Sequence, residues 1–463
     1  MTCAACHTTE VHLGKTAYRV DGGPSQADVQ GFLNDLVGAM RQTNDDAPKF
    51  ERFAGKVLGS RESAENRVEL KGKLATAIKI RVGYNLRNFV GYDPQPIPPA
   101  TPTRYGRLDA VGAIVNETYW HAVRNPDLDK PTVVAKPADA PVSYPFLWDT
   151  PQHDRVEWLG IAKSGGPGDL FSLSRNVGEV LGVFGDFTVP DDPSLLDLGY
   201  PSSVKFSELA DLENLVKTLW SPLWPEDFPK IDQIAAAKGS QLYRAKSNGS
   251  RSCLDCHQLI DRKDPNRTVR AVMTATWTDS RAYDNFFNPR RPSGKLSGVN
   301  VNLIPFTAKI PPESDANSMV TNEVIGVILG RFKDAPADEL DQIDFRGAPR
   351  DLVVASQVQA AKYKGRPING IWATAPYLHN GSVPTLDALL RPAADRPKSF
   401  TIGSRTFDPV RIGYLTDAPG FPKFNVSNPD GTPIPGNSNA GHEYGTGLSD
   451  EERMQLLEYL KTL

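Results

Sequence analysis

The chain has 463 residues, which is more than a single hydrophobic core usually accommodates, so two domains are expected. Its net charge of −3 provides no basic surface for nucleic acid or for an anionic membrane. No run of about 18 apolar residues occurs, so no transmembrane anchor is predicted.

Hydrophobic periodicity predicts helices through much of the first half of the chain. Apolar residues recur at helical spacing in residues 25–60, 61–86, 107–123, 174–186 and 206–219. Proline-rich loops separate several of these helices, in keeping with the 39 prolines and 38 glycines of the sequence. The segment 220–229, W-S-P-L-W-P-E-D-F-P, is typical of a link between two domains.

The second half follows the same pattern and ends on a clear helix. Residues 231–246 and 318–330 are predicted helices, whereas residues 285–317 are polar and loop-like, and residues 395–447 are rich in Gly, Pro and Asn. Ser449 is the predicted N-cap of the last helix, and Glu452 completes a capping box. Its predicted buried face comprises Met454, Leu456, Leu457, Leu460 and Leu463. No strong strand alternation occurs, so the predicted fold is mostly α with long ordered loops and little β-structure.

Every cysteine belongs to one of two C-x-x-C-H motifs. The motifs are Cys3-Ala-Ala-Cys6-His7 and Cys253-Leu-Asp-Cys256-His257. This pentapeptide is the attachment signature of c-type haem, in which two thiols bond the haem and the adjacent histidine binds its iron. A zinc site built from two C-x-x-C pairs is the alternative, but it does not explain the histidine after each pair. The sequence therefore predicts two covalently bound c-type haems and no disulfide.

One haem for each half predicts two cytochrome c-like domains, at residues 1–225 and 226–463. Residues 235–243 are typical of the helix that precedes C-x-x-C-H in cytochromes c, and the closing helix is expected to pack against it. Bacterial haem attachment takes place outside the cytoplasmic membrane, so we expect a periplasmic or extracellular protein. Because no signal peptide precedes Cys3, we expect a processed form that lacks some native N-terminal sequence.

Three segments resemble the bacterial di-haem cytochrome c peroxidase superfamily. Residues 374–386, T-A-P-Y-L-H-N-G-S-V-P-T-L, resemble its T-A-P-Y-x-H-D/N-G segment. Residues 146–149, F-L-W-D, and 176–180, N-V-G-E-V, resemble its F-W-D-G-R and N-P-x-E-M segments, so the resemblance covers nearly the whole chain. It implies that Trp148 lies between the haems and that Glu179 lines the pocket of the first haem. It also implies that the carbonyls of Thr374 and Pro376 hold a calcium ion, for which oxygen ligands are suited.

One departure points to a particular branch of that superfamily. Where the peroxidases have a methionine ligand for the second haem, this chain has Ala393, and Met319 and Met454 lie in unrelated helices. We therefore predict His379 as the sixth ligand of the second haem; the alternative is a histidine that bonds a haem propionate. With H-N-G-S-V-P-T-L and S-Y-P-F-L-W-D-T, this resembles the di-haem rubber oxygenases and related fatty-acid dioxygenases.

Several of these assignments have plainer alternatives. Trp148 could be an ordinary core tryptophan, since aromatic side chains bury large areas wherever they lie. Glu179 could be a surface carboxylate or an ion-pair partner of Arg175, four residues earlier on a helix. His121 is the rival for a sixth ligand at the first haem, although a histidine at a helix end is more often solvated. Thr374 and Pro376 could form a plain turn. Apolar walls for the first pocket are sought among Phe146, Leu147, Val180, Leu181 and Phe184.

The leading hypothesis is a dioxygenase that attacks the C=C bonds of a hydrophobic substrate, either polyisoprene-like or an unsaturated fatty acid. The resemblance implies that O2 reacts at the first haem, on His7, with Phe146, Trp148 and Glu179 around it. The second haem, on His257 and His379, would tune the first haem or supply electrons to it, and a redox partner protein is a candidate source of those electrons. The alternatives are a hydrogen peroxide-reducing peroxidase and a non-enzymatic di-haem electron carrier.

Overall fold

A computed structural model describes most of the chain. The described residues are 3–90, 105–123, 135–136, 139–164, 170–191, 193, 199–246, 251–264, 268–301, 308–334 and 362–463. The proline-rich loop expected at residues 94–102 lies outside these ranges. Of the second one, expected at residues 126–141, only 135–136 and 139–141 are described. In the described part of the chain, no helix is both long enough and apolar enough to cross a membrane.

Helices dominate the described residues and match the predicted segments. They are α1 Val29–Asp45, α2 Ala47–Leu58, α3 Ala64–Asn85, α4 Ala110–Val123, α5 Leu170–Val183, α6 Phe206–Val216, α7 Gln233–Arg244, α8 Cys253–Cys256, α9 Arg281–Phe287, α10 Ala316–Asp334, α11 Leu386–Leu389 and α12 Asp450–Lys461. The single helix expected over residues 25–60 is divided at Asp46, whose carboxylate accepts from the Lys49 backbone N–H at 2.8 Å and caps α2.

Strands are short and pair only in twos within the described ranges, which confirms the mostly α fold. They are β1 Thr8–Leu13, β2 Thr16–Asp21, β3 Arg107–Leu108, β4 Val142–Ser143, β5 Arg155–Val156, β6 Ala162–Lys163, β7 Val272–Ala275, β8 Arg290–Pro292, β9 Glu313–Asp315, β10 Lys362–Gly365, β11 Ser399–Thr401, β12 Phe407–Asp408, β13 Gly413–Tyr414 and β14 Lys423–Asn425. The antiparallel pairs are β1–β2, β3–β4, β5–β6, β7–β10, β8–β9, β11–β14 and β12–β13. The β8–β9 pair lies in residues 285–317, which the sequence analysis treated as loop.

Two large apolar clusters form most of the core. The first gathers α4, α5 and α10 around fully buried residues such as Tyr119 and Met319. The second includes Trp148, Trp372 and Leu457 and contains residues of the β1–β2 hairpin. Both clusters draw residues from each side of position 225. The division into domains at 1–225 and 226–463 stays a prediction.

Helices α7 and α12 cross closely and confirm the expected packing of the closing helix. Gly239 is buried at the crossing, where an added Cβ would lie 2.0 Å from the carbonyl oxygen of Gln455. Ser449 and Glu452 form the predicted capping box, and Leu457 is fully buried. The prediction for Met454 was wrong: its side chain is 37% exposed, because the buried face of α12 is formed by Arg453, Leu456, Leu457, Tyr459, Leu460 and Lys461.

We expect Gly239→Ala to destabilise the protein, although alanine is the better helix former. The methyl group has no space at the crossing, and overpacking of this kind costs about 1–3 kcal/mol. The matched control is Gly72→Ala in α3, where nothing lies within 4 Å of the added Cβ. That substitution should stabilise the protein by about 0.5–1 kcal/mol. Denaturant unfolding of both variants checks the pair, and equal effects would contradict the close crossing.

Candidate haem sites

The first motif lies in a short turn that leads directly into β1. Cys3 is exposed and Cys6 half-buried, and both thiols are free. His7 has its Nδ1 atom 2.8 Å from the carbonyl oxygen of Pro145. A carbonyl only accepts, so Nδ1 carries the proton and Nε2 is left for a metal, as is usual for ligating histidines. Burial lowers the pKa of His7 to about 4, which keeps the ring in its neutral, metal-binding form.

The second motif repeats this arrangement on the one-turn helix α8. Ser252 and Asp255 form a capping box that fixes the turn before His257. The Nδ1 atom of His257 lies 2.8 Å from the carbonyl oxygen of Arg366, and the hydroxyl of Tyr243 donates to the carbonyl of His257. Burial lowers the pKa of His257 as well. Both motifs therefore present two free thiols beside one oriented, neutral imidazole.

The two cysteine pairs do not share a metal site. Nowhere in the described ranges do three or more His, Cys, Asp or Glu side chains gather so that they could hold a metal ion. The zinc alternative is therefore unsupported.

A partly open cavity adjoins the second motif. Its walls are mostly apolar, and they include Cys253, Cys256, His257, Ile368, Ile371, Leu378, Leu386, Leu389, Leu390, Leu456 and Leu460. Two further histidines, His379 and His442, also line it. A large apolar cavity with a few convergent polar groups suits a bulky planar cofactor. The residues present therefore fit a haem attached to this motif.

His442 is a residue that the sequence analysis did not single out. Its ring faces that of His257, with 6.1 Å between centroids and 46° between planes. Its backbone N–H donates to the carbonyl of Thr276 at 2.7 Å, and its backbone has a positive φ of 50°. Within the described residues its buried Nδ1 atom has no hydrogen-bond partner. No motif surrounds it in the Gly/Pro/Asn-rich segment 395–447, so no sequence signal could have identified it.

His379 lies in the wall of the same cavity. Its ring stacks on Tyr363, with 4.0 Å between centroids and 18° between planes. Its carbonyl oxygen accepts from the Ser143 backbone N–H at 2.8 Å. Burial, and next the charge of Arg107, lowers the pKa of His379 to about 3, so the ring is neutral. Its role as the sixth ligand stays a prediction, with His442 as a second candidate.

Trp148 and Phe146 belong to the second apolar cluster. Trp148 is fully buried, and its indole N–H donates to the carbonyl of Asn369 at 2.9 Å. Phe146 stacks on Trp148, with 4.7 Å between centroids and 6° between planes. Phe146 directly follows Pro145, the partner of His7, and Asn369 lies three residues after Arg366, the partner of His257. This segment therefore contacts the immediate surroundings of both motifs.

Glu179 on α5 lies close enough to the first motif to affect it electrostatically. Its charge raises the pKa values of Cys3 and Cys6, while burial, and next the charge of Glu157, raises its own pKa to about 8. The proposed ion pair with Arg175 is not the main contact, because the Arg175 guanidinium donates to Glu213. Glu179 is therefore a neutral carboxylic acid at pH 7, next to the site of the first haem.

The other predicted residues have plainer surroundings. His121 is buried rather than solvated, because its ring packs on Phe187 with 4.0 Å between centroids. Phe184, sought as a pocket wall, is 37% exposed and lies beneath Arg81. The Thr374 hydroxyl donates to the carbonyl of Ile371 at 3.0 Å. A calcium site at Thr374 and Pro376 would use carbonyl oxygens, and it stays a prediction.

Comparison with known proteins adds a family. A sequence family described as "RoxA-like, cytochrome c-like" matches residues 362–401, a segment that includes many residues of the cavity wall. The uncharacterised protein y4iM of Sinorhizobium fredii is 34% identical over 274 residues, which cover 59% of this chain and 49% of that protein. The uncharacterised protein y4iJ of the same organism is 30% identical over 500 residues, covering 100% of this chain and 76% of that protein. The chain is therefore a c-type haem protein and belongs to the same family as y4iJ.

Proposed function

We propose that the protein is a di-haem c-type oxidoreductase, with one haem held by Cys3, Cys6 and His7 and the other by Cys253, Cys256 and His257. The observation that carries this is the shared geometry of His7 and His257, whose Nδ1 atoms each lie 2.8 Å from a backbone carbonyl. Haem iron with an open position takes up dioxygen or peroxide, and iron closed by two protein ligands transfers electrons. Covalent haem attachment supports a periplasmic or extracellular location.

His442 is the better candidate for the sixth ligand of the second haem. With metal–imidazole bonds of about 2 Å, two rings on opposite sides of one metal ion have centroids roughly 6 Å apart. The rings of His257 and His442 have that separation, at 6.1 Å. The stacking of His379 on Tyr363 suits the alternative role, in which it lines the cavity and contacts the edge of the cofactor. An iron closed by His257 and His442 would make the second haem the electron-transfer centre.

The first haem is the proposed reactive centre, and a C=C bond of a hydrophobic substrate is the proposed target. The support is the match to the RoxA-like family, together with the resemblance of the segments around Trp148 and His379 to di-haem oxygenases. The surroundings of His7 contribute little net charge, because Arg175 is paired with Glu213 and Glu179 is neutral. Few charged side chains of the protein would therefore lose their hydration when an apolar substrate enters. Cleavage of a C=C bond by O2 to two carbonyl groups consumes no external electrons, so a redox partner protein would serve only to bring the first iron, through the second haem, to the reduced state that binds O2.

A peroxidase is the second candidate, and Glu179 is the observation that favours it. Cleavage of the O–O bond of hydrogen peroxide needs a proton donor beside the iron. A buried carboxylic acid with a pKa of about 8 holds such a proton at neutral pH. The effect of replacing Glu179 therefore separates the two functions.

The protein as isolated should carry two covalent haems. After acid–acetone extraction removes any loose haem, the intact mass should exceed that of the polypeptide by two haem groups. Replacing Cys3 and Cys6 together by alanine should remove one haem, and replacing Cys253 and Cys256 should remove the other. A single haem, or none, in the unsubstituted protein would refute the proposal.

His442→Ala should open the second iron and convert one low-spin electron paramagnetic resonance signal to high spin. His379→Ala is the matched control, since it removes a histidine from the same cavity. It should leave that iron low-spin, with at most a small shift of its g values. If His379→Ala opens the iron and His442→Ala does not, His379 is the ligand.

Glu179→Gln should reduce activity only modestly if the enzyme is a dioxygenase. If the reaction is peroxide reduction, the same change should lower kcat by on the order of 10²-fold or more. In that case wild-type activity should fall as pH rises through about 8, since deprotonation removes the donor, and the glutamine variant should lack that decline. Glu208→Gln, on the exposed surface of α6, is the control.

The deciding assay offers the purified protein two sets of substrates. One is hydrogen peroxide with a reduced cytochrome donor, and the other is O2 with an unsaturated fatty acid or polyisoprene. Oxygen uptake with cleavage of the alkene supports the dioxygenase. Fast peroxide turnover without oxygen uptake on any alkene overturns it in favour of the peroxidase.

A further inference from the structure

Arg366 contacts the surroundings of both haem sites through different parts of the same residue. It follows β10 directly, and its carbonyl oxygen lies 2.8 Å from Nδ1 of His257. Its guanidinium carbon lies 4.3 Å from the ring centroid of Phe146 and 4.3 Å from that of Trp158. The backbone thus orients the histidine of the second motif, while the side chain is held between two aromatic rings.

Phe146 connects this sandwich to the first motif. It directly follows Pro145, whose carbonyl oxygen lies 2.8 Å from Nδ1 of His7. The path from His7 to His257 therefore contains two hydrogen bonds to backbone carbonyls and one contact between a guanidinium and a ring. Trp158 is held in turn by its indole N–H, which donates to the carbonyl of Ser143 at 2.8 Å.

In the described part of the chain, the charge of Arg366 has no anionic partner. Among the described residues, no carboxylate lies within ion-pair distance of its guanidinium, which also lines the cavity at the second motif. A buried cation of this kind is stabilised by the faces of aromatic rings and by any carboxylate that enters the cavity. Burial lowers the pKa of Arg366 to about 9, yet the group remains charged at pH 7. The position of the charge is therefore fixed mainly by Phe146 and Trp158.

We propose that Arg366 is a positioning residue that couples the two haem sites, so that a change at one proximal histidine alters the ligand field of the other iron. The coupling rests on the proposed attachment of haem at both motifs, but not on the identity of the substrate. A planar guanidinium suits this role because it stacks flat between two rings, whereas a lysine ammonium cannot. If Phe146 moved, the guanidinium of Arg366 would move with it. The Arg366 backbone would then shift the carbonyl that orients the ring of His257.

The test follows both irons in Arg366→Leu, Arg366→Lys and a control, Arg251→Leu. Arg251 lines the same cavity and contacts Cys256 and Thr274, but it takes no part in the ring sandwich. Haem content by mass is measured first. If the unsubstituted protein lacks either haem, the proposed function is refuted. That outcome is distinct from failure of the coupling, which is tested only in protein that carries both haems. Electron paramagnetic resonance and spectroelectrochemical titration then report on each iron in the oxidised protein.

Arg366→Leu should shift the resonance signals of both irons and lower both reduction potentials, because a positive charge between them is removed. Arg251→Leu should change the second haem alone. Arg366→Lys should keep both reduction potentials near their wild-type values, because the positive charge is kept. It should still change the resonance signals of the irons, because the stacking on the rings is lost. A change confined to the second haem in Arg366→Leu, or wild-type signals in Arg366→Lys, would overturn the proposal.

If Arg366→Leu fails to take up both haems, Phe146→Leu provides the same test from the other side. Phe146 is not among the described residues that line the cavity at the second motif, so its effect there passes through Arg366 or through Trp148, whose indole N–H donates to Asn369. Trp148→Phe, which removes the hydrogen bond of the second route, is the control. Phe146→Leu keeps the Pro145 carbonyl and the Arg366 backbone, and it should shift the signal of the second iron. An unchanged second signal would refute the coupling.

Discussion

Two hydrogen bonds from histidine rings to distant backbone carbonyls are the constraint on which both haem sites depend. His7 reaches Pro145, 138 positions along the chain, and His257 reaches Arg366, 109 positions along it. Each bond fixes the proton on Nδ1, so Nε2 faces the metal with its lone pair free. Because both acceptors are remote in sequence, neither ring is oriented until the tertiary fold has formed. The geometry of either candidate haem site therefore depends on the tertiary fold.

Because these rings are buried, the charged side chains near them must be paired, neutralised or stabilised by other contacts. Near the first site the positive charge of Arg175 is paired with Glu213, and Glu179 remains protonated instead of adding a second buried anion. Near the second site the cation of Arg366 lies between aromatic faces. In a low-dielectric interior an unpaired charge is costly, so pairing, neutralisation and contact with rings are the available solutions. The protein uses all three solutions in the segments that surround the two motifs.

The cavity at the second motif combines a helical frame with loops that supply its histidines. Helices α7 and α12 cross at Gly239 and form one rigid side. The rest of the lining comes from β7, β10, α11 and irregular segments, and the irregular segments contribute His379 and His442. Such loops can place a side chain with a positive φ, as at His442, wherever the rigid frame holds the flanking backbone. The frame supplies stability, and the loops determine which groups face the cofactor.

The sequence by itself determined the attachment chemistry and the helical frame. A covalent signature such as Cys253-x-x-Cys256-His257 is local, and so are helix periodicity and the Ser449 capping box, so each can be read within a few residues. The resemblance also drew attention to Glu179 and Trp148, although not to their partners. Only the tertiary structure decided that Arg175 pairs with Glu213, that Arg366 lies against Phe146, and that His442 faces His257. These contacts join residues far apart in the chain, and no local pattern encodes which distant side chains will meet.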